Sequence, residues 1–140
     1  MTEFVEVKTQ DLMGAALNWS TFCAVYQGMQ PTIRVTESET RLLFKGAAKP
    51  VTFPRTVRLT YFGAYGFEFD WYPSSDWERG GALLDKFEIE ILRAGSVVHA
   101  KRYGMTNAAG DGETILIAAC RAIVASILGD TVSVPKELMP

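Results

Sequence analysis

The feature that most constrains the fold of this chain is a nearly uninterrupted apolar stretch close to its C-terminal end. Between Thr114 and Leu128, only Thr114, Arg121 and Ser126 are not apolar. A helix of this composition must be covered on most of its circumference, whereas a surface helix needs cover along one stripe only. Thr114 is suited to cap its start, and Gly129 suits the left-handed turn that ends many helices. The sequence therefore predicts a central helix over residues 114–128.

Length and composition favour a single domain. A chain of 140 residues buries roughly two thirds of the surface that its unfolded state exposes, which is enough for a hydrophobic core. Its two cysteines, Cys23 and Cys120, lie in apolar helical patterns, where a free thiol packs as a small hydrophobic group. With a single histidine beside them, the sequence predicts neither a metal site nor a cofactor. No signal peptide or membrane-spanning stretch is recognisable, so we expect a cytoplasmic protein with no membrane contact.

The rest of the chain shows two kinds of hydrophobic periodicity. Apolar residues at three- and four-residue spacing predict a helix from Gln10 to Tyr26. Gly14 weakens its second turn, so an alternative is that the first turn is separate from the main helix. Alternation with period two predicts strands at residues 4–8, 32–36, 41–44, 56–62, 66–71, 87–93, 97–103 and 131–134. The expected fold class is α+β, with an antiparallel sheet of five to six strands and two helices packed on one face. A homodimer would cover the remaining side of the central helix.

Charge is distributed unevenly along the chain. The net charge of −2 disfavours a nucleic-acid-binding domain, since affinity for phosphate comes from clustered basic residues. Residues 31–60, however, hold six basic and two acidic side chains, a net charge of +4, and the rest of the chain carries −6. Arg34, Arg41 and Arg58 are the candidate residues for a basic partner surface. The alternative is that they lie on the solvated outer faces of strands.

Half of the sixteen aromatic residues fall within residues 61–77. Such a concentration beside a basic segment can form a stacking platform for bases. The alternative, which we favour, is that Tyr61, Phe67, Phe69 and Trp71 line the inner face of a sheet and pack on a helix. Acidic residues at 68 and 70 alternate with these aromatics and would repel phosphate. Nucleic acid is therefore a disfavoured partner.

The titratable side chains do not form a recognisable reaction centre. Four carboxylates lie within residues 70–85, but their spacing matches no metal-binding or acid–base motif. His99 has no Ser or Cys placed as its partner in a nucleophilic site. The sequence therefore predicts no catalytic residue and no metal ligand, and the balance favours a protein that is not an enzyme.

The candidate binding site combines a loop at residues 71–81 with the central helix. Pro73 and the serines that follow it cannot continue a strand, so we expect a structured loop that opens a short helical turn at Asp76. Arg121 lies in an otherwise apolar helix and must reach a carboxylate, carbonyl groups or water. A buried pair with Asp76 or Glu78 would fix the loop to the helix. The candidate binding residues are Ser74, Ser75, Asp76, Trp77, Gly80, Gly81, Thr114 and Arg121.

Three segments, residues 7–19, 72–81 and 113–135, carry a family resemblance through their order and motifs. The first contains Lys-Thr, Gly and Ala-Leu-Asn-Trp, the second Pro-Ser-Ser-Asp-Trp-Glu-Arg-Gly-Gly, and the third Thr-Ile-Leu-Ile-Ala-Ala-Cys-Arg. Together they resemble the NinX-like family of phage and prophage accessory proteins. Ile115 replaces a proline of the family pattern, Tyr72 stands at a position where the family often has Ser, and residues 30–71 have no counterpart in these motifs. The resemblance implies a phage origin, action in the bacterial cytoplasm and no accepted catalytic residues.

Two functional interpretations follow. The first is a non-enzymatic phage accessory protein that binds a host or phage macromolecule, most simply a protein. The alternative is a small-molecule or nucleotide-binding protein, including an enzyme, with a pocket around residues 74–81 and the start of the C-terminal helix. A pocket of this kind requires Ser75, Asp76 and Arg121 to converge.

Overall fold

The computed structural model describes residues 3–140, which form three α-helices and ten strands. The helices are α1 (Gly14–Val25), α2 (Trp77–Lys86) and α3 (Ile115–Leu128). The strands are β1 (Phe4–Lys8), β2 (Thr32–Thr36), β3 (Glu39–Arg41), β4 (Val51–Phe53), β5 (Thr56–Phe62), β6 (Glu68–Asp70), β7 (Ile89–Ala94), β8 (Val97–Arg102), β9 (Ala109–Gly112) and β10 (Thr131–Pro135). No helix within residues 3–140 is long and apolar enough to cross a bilayer.

Helix α3 is the predicted central helix. The Thr114 hydroxyl accepts a hydrogen bond from the Ile117 amide at 3.1 Å, and Gly129 follows the helix with a φ of 97°. The helix packs on α1, α2, β8 and β9, so most of its cover comes from within the chain. Leu128 is its one exposed large side chain. A second copy of the protein is not needed to cover this helix.

The α+β class and the antiparallel pairing of the strands are confirmed, but the strands form four small sheets rather than one. Their orders are β1-β10, β2-β5-β6, β3-β4 and β7-β8-β9. The β1-β10 and β2-β5-β6 sheets contribute to one core with α1 and α3. The β7-β8-β9 sheet packs Val98 and Ala100 on Ala118 and Ala122 of α3.

Several predicted elements have different bounds. The first helix begins at Gly14 (φ 55°) rather than at Gln10, because residues 9–11 form a separate 3₁₀ turn. The predicted strand over residues 41–44 is wrong, since the strand is β3 and residues 42–44 lie beyond its end. The short turn expected at Asp76 is the start of the ten-residue helix α2. The Asp76 carboxylate caps this helix by accepting a hydrogen bond from the Glu78 amide.

The segment between β8 and α3, for which no strand is predicted, contains β9, whose backbone packs directly on α3. A Cβ atom added to Gly110 would lie 2.4 Å from the Ala122 amide nitrogen and 2.5 Å from the Ala118 carbonyl oxygen. No side chain larger than hydrogen fits there without moving the strand. Gln10 completes this arrangement, because its side-chain amide donates to the Ala109 carbonyl and accepts from the Asp111 amide. Its single carboxamide therefore occupies the edge of β9 as a neighbouring strand would.

Candidate functional site

Asn18 of α1 joins the first of the three motif segments to the second. Its side-chain oxygen accepts a hydrogen bond from the Ser74 amide at 3.1 Å, and its carbonyl accepts one from the Trp71 indole at 2.8 Å. Both contacts are buried, and Pro73 between them is also buried. Because a buried amide N–H without a partner is costly, Asn18 fixes the conformation of this loop. Sequence reasoning did not single it out, since a lone Asn in a helix carries no recognisable signal.

Gly80 joins the second segment to the third. A Cβ atom at this position would lie 2.3 Å from the Pro73 carbonyl oxygen and 2.8 Å from a methyl group of Leu116. The absence of a side chain thus lets α2 contact both the loop and α3. Gly81 is different, because a Cβ atom there would meet only Trp77, at 3.6 Å. Trp77 itself is 58% exposed and does not pack into the core, whereas Trp19 is buried.

Arg121 joins the third segment back to the first. Its guanidinium donates two hydrogen bonds to the Leu12 carbonyl, at 2.8 and 3.0 Å, and one to the Asp111 carbonyl at 2.6 Å. Burial lowers the pKa of Arg121, and the nearby acidic side chains Asp11, Glu113 and Asp111 act in the opposite direction. The expected pair with Asp76 or Glu78 is therefore not formed. Main-chain carbonyls take the place of the carboxylate.

The three segments surround a hollow of about 510 Å³. Its walls include Gly14, Asn18, Ser74, Ser75 and Ile117, and the side chains of residues 58 and 70 also contribute. A second hollow, of about 860 Å³, is lined by residues 10, 13, 96, 97, 111–113, 117 and 121. Arg121 thus lines one hollow and the two serines line the other, while Asp76 lines neither. The predicted pocket in which Ser75, Asp76 and Arg121 converge is not formed.

The candidate basic residues lie in two different settings. Arg34 makes two hydrogen bonds to the Glu68 carboxylate, at 2.6 and 2.9 Å, and Arg58 makes one to Asp70 at 2.5 Å. The hydrogen bond from Arg34 lowers the pKa of Glu68. Arg41 lies apart on β3, with its guanidinium 4.7 Å from the centre of the Phe53 ring. Two of the three arginines are therefore neutralised by acidic side chains of β6.

The aromatic residues in and beside β5 and β6 are divided between the core and the surface. Trp71 is buried and makes edge-to-face contacts with Phe22 of α1 at 5.2 Å and with Tyr61 at 5.8 Å. Phe69 stacks on Tyr61 at 5.6 Å and is 39% exposed. The expected packing on a helix is confirmed for Tyr61 and Trp71, which both contact Phe22 of α1, but not for Phe69, and it is wrong for Phe67, which is 65% exposed.

A feature missed by sequence reasoning is a hairpin that we call the arm, residues 37–55, built from β3 and β4. None of its side chains is buried. Beyond β3, the adjacent Leu42, Leu43 and Phe44 are exposed by 52%, 61% and 66%. The run of three large apolar residues is visible in the sequence, but alternation with period two predicted a strand there, and a strand of that kind is half-buried. Basic side chains at 41, 45 and 49 surround it.

The structure contains few groups for metal or acid–base chemistry. Within residues 3–140, no cluster of three or more His, Cys, Asp or Glu side chains is placed to hold a metal ion. His99 of β8 and Asp111 of β9 pair at 2.5 Å on an exposed sheet face. Burial raises the pKa of the Cys23 thiol from 9.0 to about 11 and that of Cys120 to about 12. Neither thiol is therefore activated as a nucleophile.

A comparison with known protein families decides the relationship of this chain. The family model described as Bacteriophage P22, NinX matches residues 8–127. The chain belongs to the bacteriophage P22 NinX family. It is thus a phage-derived accessory protein, and no curated protein matches it.

The NinX match extends beyond the three motif segments. It spans residues 30–71, so the arm and the β2-β5-β6 sheet lie within the matched range, although the motifs offered no counterpart for them. It ends at residue 127, before β10. The contacts of Asn18, Gly80 and Arg121 all lie inside the matched range, and each of them joins two of the three segments.

Proposed function

We propose that this NinX-family protein acts by binding a host or phage protein, without catalysing a reaction, and that the arm makes the principal contact. The observation that carries this proposal is the exposure of Leu42, Leu43 and Phe44 at one point of the surface. Isolated exposed apolar side chains are ordinary, but a contiguous group surrounded by polar residues is typical of an interaction site.

The arm makes a poor contribution to the stability of the domain itself. The arm includes no buried side chain, and within it only Ala47 and Phe53 are partly covered. The hydrophobic effect therefore gains little from this hairpin in the free protein. A partner that covers the tip would recover the apolar burial that the fold does not provide.

The charges of the arm indicate the chemistry of the partner. Arg41, Lys45 and Lys49 flank the apolar tip, while the nearest acidic side chain of the same hairpin is Glu39. A protein surface with an apolar groove and an acidic rim would complement it, because complementary charges speed association and align the two partners. Double-stranded nucleic acid would satisfy the basic side chains but would leave the three apolar residues in water.

The test is affinity capture from phage-infected cells with the tagged protein and two variants. The first variant replaces the tip by L42S, L43S and F44S, and the matched control is L92S, which removes a side chain of similar exposure (67%) from β7. We expect the wild type and the control to retain the same partner, and the tip variant to lose it with an unchanged melting temperature. Equal recovery by the tip variant would refute the role of the arm.

Although the predicted pocket with Asp76 and Arg121 is not formed, a different site for a small molecule or nucleotide is the hollow beside Ser74 and Ser75, which neither of those two residues lines. Its volume of about 510 Å³ lies within the usual range of ligand sites, and all three motif segments contribute to its wall. Native mass spectrometry of protein purified from infected cells would test this function directly. A retained small molecule that is lost from a Ser75→Trp variant would favour the hollow over the arm.

A further inference from the structure

Strand β10 has an edge that faces away from β1. Beyond the two ends of the strand, the Thr9 amide donates to the Asp130 carbonyl at 2.8 Å and the Lys136 amide donates to the Glu3 carbonyl at 2.9 Å. Both bonds continue the register in which Val7 lies opposite Val132. Because hydrogen-bonded and non-hydrogen-bonded pairs alternate in an antiparallel ladder, the even-numbered residues of this strand bond to β1. The main-chain groups of residues 131 and 133 therefore point to the other side.

These outward groups face open space. Within residues 3–140, no hydrogen bond is made to the N–H or C=O groups of Thr131 and Ser133 from outside the β1-β10 ladder. Both residues are exposed, and both line a groove of about 570 Å³. The edge thus presents two donors and two acceptors at the spacing of an extended strand.

The groove beside this edge is free of charge. Its remaining walls come from Trp19 and Cys23 of α1, from residues 27–30, and from Ile127 and Leu128 at the end of α3. Every lining residue is uncharged. A charged occupant would lose hydration here without gaining a counter-ion, so the groove favours an uncharged segment with apolar side chains.

Other open edges of the protein are protected. The edge of β9 is occupied by the Gln10 carboxamide, and β1, β2, β6 and β7 all carry charged side chains. Charges and covering groups of this kind are a common protection against unwanted strand pairing. Strand β4 is uncharged but has only three residues, with a proline on each side. In β10, the four residues that precede Pro135 carry no charge and lie beside an uncharged groove.

We propose that the free edge of β10 binds an extended, uncharged peptide segment of a partner protein by strand addition. The main-chain groups of Thr131 and Ser133 pair with the segment, and its apolar side chains contact Trp19, Ile127 and Leu128. Main-chain bonds supply affinity in this mode of recognition, and the adjoining groove supplies specificity. The site is separate from the arm and does not depend on its function. Its main-chain edge at Thr131 and Ser133 lies outside the range that the NinX family model matches, whereas the groove residues Trp19 and Ile127 lie inside that range.

Proline substitution tests the pairing directly. Ser133→Pro removes an outward N–H group of β10 and leaves the ladder with β1 intact, because the amides of residues 132 and 134 make that ladder. The matched control is Glu6→Pro, which removes an outward N–H group from the opposite edge of the same two-stranded sheet. A second variant, Leu128→Asp, introduces a charge into the groove at an exposed position. Thermal unfolding identifies the variants that fold like the wild type.

The probe is a random octapeptide display library selected on the full-length protein, followed by anisotropy measurements with the enriched synthetic peptides. We expect the enriched peptides to be uncharged and to bind Glu6→Pro with the same Kd as the wild type. Their Kd should rise about tenfold or more for Ser133→Pro and for Leu128→Asp, which is the loss typical of one hydrogen bond or one buried charge. The proposal is overturned if no peptide is enriched or if the peptides bind both groove variants as well as the wild type. It is also overturned if the free protein sediments as a dimer that Ser133→Pro dissociates, since a second copy then occupies the edge.

Discussion

Two adjacent glycines of α2 should respond in opposite directions to the same substitution. Gly81→Ala adds a methyl group that would lie 3.6 Å from the Trp77 ring, an ordinary van der Waals contact. Alanine in a helix is more favourable than glycine by about 0.5–1 kcal/mol. Gly80→Ala adds the same group 2.3 Å from the carbonyl oxygen of Pro73. Here the backbone of the loop must move away.

The cost at Gly80 follows from the contacts of the loop that it touches. Overpacking a close contact costs typically 1–3 kcal/mol, and the upper end applies because the clashing atom is main chain, held in place by the hydrogen bond from the Ser74 amide to Asn18. The gain in helix propensity of about 1 kcal/mol offsets part of this cost, so Gly80→Ala should lower the free energy of unfolding by about 2 kcal/mol. The two variants should therefore differ by about 3 kcal/mol, or about 10 °C in melting temperature at this chain length.

Chemical denaturation and differential scanning calorimetry on the two variants and the wild type would measure this difference. The expected order of stability is Gly81→Ala, wild type, Gly80→Ala. If Gly80→Ala were as stable as Gly81→Ala, the close approach of α2 to the loop and to Leu116 would be incorrect. The packing account of this glycine pair would then fail, and a role in ligand binding would become the better explanation for it.

Two further predictions concern α3 and the thiols. Arg121→Met leaves the Leu12 carbonyl without its hydrogen-bond donor and should lower the free energy of unfolding by about 2 kcal/mol in urea denaturation. The control Arg93→Met, at an exposed site, should change this free energy little. Equal stability of the two variants would contradict the role of Arg121 as a link between segments. In the unfolded chain the thiols have a pKa near 9.0, whereas burial raises the pKa of Cys23 to about 11 and that of Cys120 to about 12. Above pH 9 the unfolded state therefore binds fewer protons than the folded state, and the free energy of unfolding should fall as the pH rises. Melting curves between pH 7 and 10.5 should show this fall, and Cys120→Ala should make it less steep.

The sequence predicted best those elements whose side-chain pattern matches their burial. Strands β1, β2 and β5 have the predicted bounds, because each alternates apolar and polar residues above a partly buried face. Helix α3 was predicted from its apolar composition and its caps. Strand β9, with the sequence Ala-Gly-Asp-Gly, has no such pattern. It is held by close backbone packing on α3, which depends on the absence of side chains at Gly110 and Gly112 and leaves no periodic signal.

In the candidate site, too, some features were predictable from the sequence and others were not. The need of Arg121 for a buried acceptor was predictable from its apolar surroundings, but its acceptors are the carbonyls of Leu12 and Asp111, and any residue carries a carbonyl. Helix α2 was predicted only as a short helical turn at Asp76, because Pro73 and the serines that follow it indicate a loop. Gly80 and Gly81 also disfavour a helix when considered alone. Contact with the loop and with α3, which only the glycine at position 80 permits, outweighs that local preference.

The residues that carry the family resemblance therefore have sufficient structural reasons to be what they are. Asp76 caps a helix, Gly80 permits a close approach, and Arg121 bridges two main-chain segments. The arm has no comparable reason, since Leu43 and Phe44 lower the solubility of the free protein without stabilising its core. Substitutions at the motif positions should consequently reduce folding and function together. Substitutions at the arm should separate the two, which makes the arm the better place to look for what this protein does.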